Sequence, residues 1–213
     1  MSNPLKISEN GTIFSLGEHD GQKLHYDFRL IIAYLNYKGK LLFGNHFRIY
    51  KKNRPVLRKL CAYIVGDPAA CRAHNLDLDK GLLLCGPKGC GKTSLMSLVR
   101  YIVPGNQTFP IVSARNLVFA HKLIGNKSLA DYENYFSYCF DGLGTESSAN
   151  IQPKEQEVMG KLLQLRYHLY LSTGRMATTH LTTRLPAGGL QQYYGQHLAA
   201  AVEDWFNPIL FRT

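Results

Sequence analysis

A chain of 213 residues with 45% hydrophobic and 19% charged residues is long enough to bury one α/β core with a small appendage, and too apolar to stay disordered. Its apolar runs, such as Gly81 to Cys85, fall far short of the roughly 20 residues of a bilayer span. The opening MSNPLKISENGTIF lacks the apolar core of a signal peptide, so a cytoplasmic location and no membrane partner are expected. The formal charge is +10, and between Gln22 and Leu60 ten basic residues face a single acid, Asp27, which suggests a polyanionic partner, nucleic acid first.

In chain order, residues 1–22 carry Asn, Gly, Ser and Glu without periodicity and read as a flexible tail. Residues 23–75 form the basic N-terminal segment. Leu24, Phe28, Ile31, Ile32 and Leu35 recur at helical spacing, Lys38-Gly39-Lys40 breaks that helix, and residues 41–50 read as a strand or an extended arm. Asn53 and Pro55 open a second helix that ends at Gly66-Asp67-Pro68. Residues 76–213 then alternate strands and helices. Strands are expected at 82–85, 109–113, 136–140, 175–179 and 209–211, and helices at 93–103, 114–124, 155–171 and 194–206. In the helix at 155–171, Val158, Leu162, Leu165 and Leu169 face inward. This alternation predicts an α/β fold, a mostly parallel sheet sandwiched by helices. Cys61, Cys71, Cys85, Cys90 and Cys139 show no C-x-x-C spacing, so neither a disulfide framework nor a zinc site is expected.

Gly86-Pro87-Lys88-Gly89-Cys90-Gly91-Lys92-Thr93 fits G-x-x-x-x-G-K-[ST] and is followed by Ser94. The glycines let the backbone curl so that successive N–H groups point at one phosphate. Lys92 is expected on the β and γ oxygens, and the Thr93 hydroxyl on Mg²⁺. An apolar strand precedes the loop and a helix follows it, adding positive potential. The expected ligands are therefore ATP and Mg²⁺, with adenine over guanine left open. Asp141, at the end of the strand Phe136 to Phe140, is expected to hold the magnesium shell.

Four segments taken in order carry a more specific resemblance. Besides the loop, Asp141-Gly142-Leu143-Gly144-Thr145-Glu146 resembles the D-D-L-G-x-E segment of AAA+ ATPases of the DnaC/IstB kind, which are replicative-helicase loaders and transposition helper ATPases. Ala177-Thr178-Thr179-His180-Leu181 resembles their sensor strand, and Tyr194-Gly195 through Phe206-Asn207 resembles the helix that carries their trans-acting arginine. The resemblance covers about Leu76 to Phe211. It implies an AAA+-like core without a C-terminal lid, nucleotide contacts from Thr179 and His180, self-association, and a replicative helicase or transposase as partner. It also exposes departures. The second acid is Gly142, the sensor Asn is His180, and the finger arginine aligns with Ala201. Glu146 is the remaining acid that could serve catalysis beside Lys92 and Asp141. An arginine finger is worth ~10³ or more in rate, so ATP binding is expected and efficient hydrolysis is not.

In the basic segment, aromatics interleave with cations. Tyr50, Lys51, Lys52 and Arg54 form the expected contact with single-stranded DNA, the cations on phosphates and the ring under a base. The expected function is an ATP-binding AAA+-like protein acting with DNA as a helicase loader or mobile-element helper. The alternative is a non-catalytic, nucleotide-gated adaptor.

Overall fold

A computed structural model describes residues 5–19, 24–104, 108–144, 153–173, 176–186, 189–194 and 199–211. The chain forms two compact units, Met1–Leu76 with Ser97–Thr108, and Asp77–Met96 with Phe109–Thr213.

The first unit opens with β1 (Lys6–Glu9) paired antiparallel to β2 (Thr12–Ser15), and β3 (Gly17–His19) paired antiparallel to β4 (Leu24–Tyr26). Asn10 and Gly11, with φ of 48° and 77°, turn the first hairpin, the left-handed pair that a two-residue loop between twisted strands requires. Where a tail was expected, the described residues 6–19 carry three strands, and the third pairs with residues 24–26. Leu5 and Leu16 anchor them, both buried, with Leu16 N donating to the Leu5 carbonyl at 2.7 Å. Strands of three or four residues are too short to display a period in sequence.

Helix α1 (Phe28–Phe43) is capped by Asp27, whose carboxylate accepts from Arg29 N. It runs straight through Lys38-Gly39-Lys40, where a break was expected. Gly39 is there for packing. A Cβ at that position would lie 2.2 Å from the Phe47 ring, which folds back over the helix. Residues 45–50, expected as a strand or extended arm, form no ladder, and Asn36 Oδ1 accepts from Ile49 N at 3.0 Å to hold them. Lys38 is buried against Glu9, its Nζ 2.8 Å from one carboxylate oxygen, so one cation of the basic segment is neutralised inside the unit. Helices α2 (Arg54–Ile64) and α3 (Pro68–Ala73) follow, each with proline in its first turn.

The second unit is built on β5 (Gly81–Cys85), α4 (Lys92–Val99), β6 (Ile111–Ser113), α5 (Ala114–Ile124), α6 (Lys127–Ala130), β7 (Tyr138–Leu143), α7 (Pro153–Ser172), β8 (Thr179–Thr183), α8 (Gly189–Tyr194), α9 (Ala199–Trp205) and β9 (Phe206–Leu210). All five strands are parallel in the order β6-β7-β8-β5-β9. This is the expected α/β class. Of the helix expected at 194–206, residues 199–205 form α9 and residues 195–198 lie outside the described residues. Position 201, where the resemblance looks for an arginine, lies on α9.

Two strands differ from expectation in ways that matter. β8 lies at 179–183 rather than 175–179. Its residues Thr-His-Leu-Thr-Thr are all buried, and such a polar run does not read as a central strand because its hydroxyls and imidazole are satisfied only by tertiary partners. β7 extends to Leu143, and its register with β8 breaks between Phe140 and Leu143, with Gly142 at φ 83°. Helix α7 buries Val158, Met159, Leu162, Leu163, Arg166 and Tyr170, while Leu165 and Leu169 are only half-buried. Trp205, Phe206 and Phe140 complete the core around this helix. Among the described residues no helix is long and apolar enough to cross a membrane.

Candidate nucleotide site

The carboxyl ends of β5, β6, β7 and β8 converge on a cavity of about 740 Å³. The phosphate loop leaves β5 at Cys85 and enters α4 at Lys92. Its curvature depends on glycine at defined places. Gly89 and Gly91 have φ of 78° and 103°, and a Cβ on Gly86 would lie 2.7 Å from Phe211 Cβ. Only glycine occupies these positions without strain. Gly86 N donates to the Thr183 carbonyl at 3.3 Å, and Leu95 N donates to Gly91 O at 2.9 Å, tying the loop to β8 at one end and to the first turn of α4 at the other.

Lys92 is buried within the loop. Its Nζ donates to Gly86 O at 2.6 Å and Pro87 O at 2.9 Å, and lies 3.5 Å from Cys90 Sγ. Thr93 Oγ1 donates to Asp141 Oδ1 at 2.7 Å, and Thr182 Oγ1 donates to the same oxygen at 2.6 Å. Gly142 N donates to Thr182 Oγ1 at 3.0 Å. Thr182 therefore fixes the carboxylate that the sequence singled out and the bulged backbone beside it. Both side-chain bonds fall on Oδ1, which leaves Oδ2 of Asp141 for another ligand.

Lys88, Gly89, Gly91, Lys92, Thr93, Ser94 and Asp141 all line the cavity, and Gly86, Pro87 and Cys90 complete the loop beside it. Thr179 and His180 are not brought there. They lie at the amino end of β8, while Thr182, Thr183 and Arg184, at its carboxyl end, line the cavity. Thr179 Oγ1 accepts from Arg166 Nε at 3.1 Å. His180 Nδ1 accepts from Leu82 N at 3.1 Å in a fully buried setting, and desolvation pulls its pKa down to about 3. It is a neutral ring completing a backbone hydrogen bond, with no route to a nucleotide. The nucleotide contacts expected from these two residues are thus corrected by four residues' displacement of the strand. Glu146 lies outside the described residues. Sequence reasoning missed Thr182, Ser113, Arg115 and Arg184. A second Thr-Thr pair, Thr182-Thr183, stands four residues after the first and could have signalled the true strand end.

The residues present fit a nucleoside polyphosphate with a divalent cation. The loop glycines leave its backbone uncovered, four cations (Lys88, Lys92, Arg115, Arg184) meet a single carboxylate among the described lining residues, and Thr93 and Asp141 supply adjacent oxygen ligands of the kind magnesium takes.

Tyr50, Lys51, Lys52 and Arg54 belong to the first unit and are exposed. Arg48 lies over the Tyr50 ring at 5.3 Å. Arg58 instead covers Phe28 at 4.3 Å.

Sheet order, loop and acid together define a parallel α/β core that carries a phosphate-loop motif at the carboxyl ends of its strands. The fold has counterparts among solved structures. The DnaC helicase loader superposes with a TM-score of 0.57 at 16% identity, over 78% of this chain and 94% of that one. DnaI gives 0.53 at 20% identity, over 78% and 88%. The replication initiator DnaA bound to AMPPCP and single-stranded DNA gives 0.54 at 16% identity, over 84% of this chain and 51% of that one. The match thus spans about half the length of DnaA. No protein-family model matches the chain, and no curated protein sequence matches it.

Proposed function

We propose that this chain binds Mg-ATP in the phosphate loop and acts with DNA in replication or transposition, as a helicase loader or mobile-element helper ATPase. The observation that carries the reading is the Thr93–Asp141–Thr182 cluster beside a buried Lys92. Lys92 and the loop N–H groups would hold the phosphates, and Thr93 and Asp141 would hold the cation. Bound magnesium would neutralise charge on the β and γ oxygens. The fold shared with the DnaC loader and with DnaA supports the replication context.

DNA contact rests on Tyr50, Lys51, Lys52 and Arg54, which stand exposed in the segment with the largest charge excess. The cations would follow the phosphates and the Tyr50 ring would accept a base. Self-association and a replicative helicase or transposase partner come with the same reading. Nucleotide titration tests it. Lys92→Ala should weaken ATP binding by about 10- to 100-fold, the range for charge-assisted bonds, and near-wild-type affinity would refute the site. For DNA, replacing Lys51, Lys52 and Arg54 by Ala should lower the salt slope of single-strand binding by about two, at roughly 0.7 per phosphate. An unchanged slope would remove the segment from the DNA surface.

A non-catalytic, nucleotide-gated adaptor is the second reading. Asp141 is the one carboxylate among the described cavity residues, and Gly142 offers no side chain to orient water. Single-turnover hydrolysis with and without DNA separates the two.

A further inference from the structure

We infer that a second cavity, in the first unit, receives one unpaired base of a DNA single strand and prefers a base bearing an exocyclic amine to thymine. The inference rests on the DNA reading above and goes beyond it by adding, to a track that holds phosphates, a pocket that reads a base.

The cavity measures about 640 Å³, within the range of roughly 300–1,000 Å³ in which small-molecule sites fall. Glu18 of β3, Tyr26 at the end of β4, the α1 cap Asp27, Phe28 and Arg29 in the first turn of α1, and Arg58 of α2 line it, all within the first unit. Its place follows on from the proposed DNA contact. Arg54 opens α2 and Arg58 stands four residues on, so the two exposed side chains share one helix face, with roughly 5–6 Å between their Cβ atoms. Lys51, Lys52 and Arg54 therefore lead, one helical turn later, to Arg58. There the guanidinium lies over the Phe28 ring at 4.3 Å. A strand that follows these cations would bring a base to the mouth of the cavity.

The lining suits a flat, neutral, polar group better than an anion. A helix N-terminus can hold a phosphate, but that of α1 is closed by Asp27, whose carboxylate accepts from Arg29 N at 2.7 Å and from the Arg29 guanidinium at 3.1 Å. The two guanidiniums of the lining are balanced by two carboxylates, Glu18 and Asp27. The planar Arg58–Phe28 pair and the Tyr26 ring offer faces of the kind on which bases stack. With Asp27 engaged by Arg29, Glu18 is the acceptor left for a base edge. It is exposed and stands opposite His25 in the β3–β4 ladder. An ionised carboxylate only accepts hydrogen bonds. It pairs with the exocyclic amine of cytosine, adenine or guanine, whereas the one ring N–H of thymine is flanked by two carbonyl oxygens that repel it. The preference for an amine-bearing base follows.

The test titrates the full chain with fluorescent single strands, one all cytosine and one all thymine and equal in length, across a salt series, for wild type, Glu18→Gln and Arg58→Lys. Melting curves check that each variant is folded, which exposed substitutions should leave intact. The expected result is a wild-type affinity about tenfold higher for the cytosine strand. The ratio should fall to about twofold or less in Glu18→Gln, because an amide can donate to a thymine carbonyl as well as accept. Arg58→Lys should weaken both strands about fivefold at an unchanged salt slope, because the charge stays while the stacking plane is lost. Equal wild-type affinity for the two strands, an undiminished ratio in Glu18→Gln, or wild-type binding by Arg58→Lys would each overturn the inference, and salt-dependent binding that persists in those cases would leave the DNA reading standing. Failure of the wild type to bind either strand would overturn both.

Discussion

The two ends of the five-stranded sheet each carry an arginine, in opposite settings. At the amino ends of β7 and β8, Arg166 is wholly buried and has no carboxylate among its hydrogen-bond partners. Its Nε donates to Thr179 Oγ1, one terminal nitrogen to the Tyr132 and Asn134 carbonyls, and the other to the carbonyls of Phe136, Ala177 and Thr178, at 2.7 to 3.4 Å. Burial pulls its pKa down to about 10, so it remains charged at neutral pH. At the carboxyl ends, Arg184 has no such partners and faces a cavity. A buried cation is tolerated where fixed dipoles replace its water, and these dipoles belong to the segments that lead into β7 and β8. Arg166 thereby ties together the segments that lead into the two strands ending near Asp141 and Arg184.

The sharpest way to break this comparison is Arg166→Met. Removing the guanidinium leaves several buried carbonyls unpaired, and the cost should be about 3–5 kcal/mol, as for other buried charged networks. Denaturant unfolding reads it directly. Arg184→Ala should stay within about 0.5 kcal/mol of wild type in the same assay. Comparable losses for both would mean that the two ends are not energetically distinct.

His180 gives the next effect and sharpens the comparison within β8. Burial holds its folded pKa near 3, against about 6.5 in the unfolded chain. The stability it contributes is therefore fully present above pH 6.5 and is lost as pH falls from there toward 3, because only the unfolded state takes up the proton. The slope attributable to this ring is about 1.4 kcal/mol per pH unit. A His180→Asn variant, which keeps an acceptor for Leu82 N, should show a flatter acid profile by that amount. If wild type and variant have parallel profiles, the ring is not buried neutral.

What could be read in advance follows from how local each signal is. The phosphate loop is eight contiguous residues between an apolar strand and a helix, and Asp141 ends the next apolar run but one, so both stand in plain view. β8 was misplaced because Met176-Ala177 looks more strand-like than Thr-His-Leu-Thr-Thr. The polar strand is buried only because Arg166, Leu82, Asp141 and Leu143, distant in sequence, supply its partners. The same four-residue displacement turned His180 from an expected nucleotide ligand into a ladder substitute and hid Arg184. Arg166 was invisible for a related reason. It sits where the helical period called for Leu165 and Leu169 to face inward, and nothing local announces a cation whose partners are carbonyls.

Gly142 carries a smaller effect. From sequence it reads as a missing acid, yet its φ of 83° at the bulge in β7 makes it a conformational requirement. Gly142→Asp should cost about 1–3 kcal/mol of stability, and Gly142→Ala should cost a similar amount, since the strain belongs to the backbone and not to the charge. A stable aspartate variant with faster ATP turnover would instead support the reading of simple loss.

The smallest expected change is also the most specific to the open end of the sheet. Thr182→Val keeps the shape of a fully buried side chain while removing the hydroxyl that donates to Asp141 Oδ1 and accepts from Gly142 N. A lost bond of this kind is worth about 1 kcal/mol, so the melting curve should shift only slightly. Asp141 keeps its bond from Thr93, but the side that faced Thr182 loses its support, and groups that orient a metal ligand typically matter by about 10- to 100-fold in metal affinity. The magnesium concentration needed for half-maximal nucleotide binding should therefore rise by roughly an order of magnitude, while binding measured without magnesium stays near wild type, because Lys92 and the loop backbone are untouched. The opposite pattern, weaker binding with and without magnesium alike, would mean that Thr182 supports the phosphate loop through β8 and not the acid. The metal dependence separates the two because, in the proposed site, Asp141 would act on the nucleotide through the cation it holds, whereas Thr183, one residue on, reaches Gly86 directly.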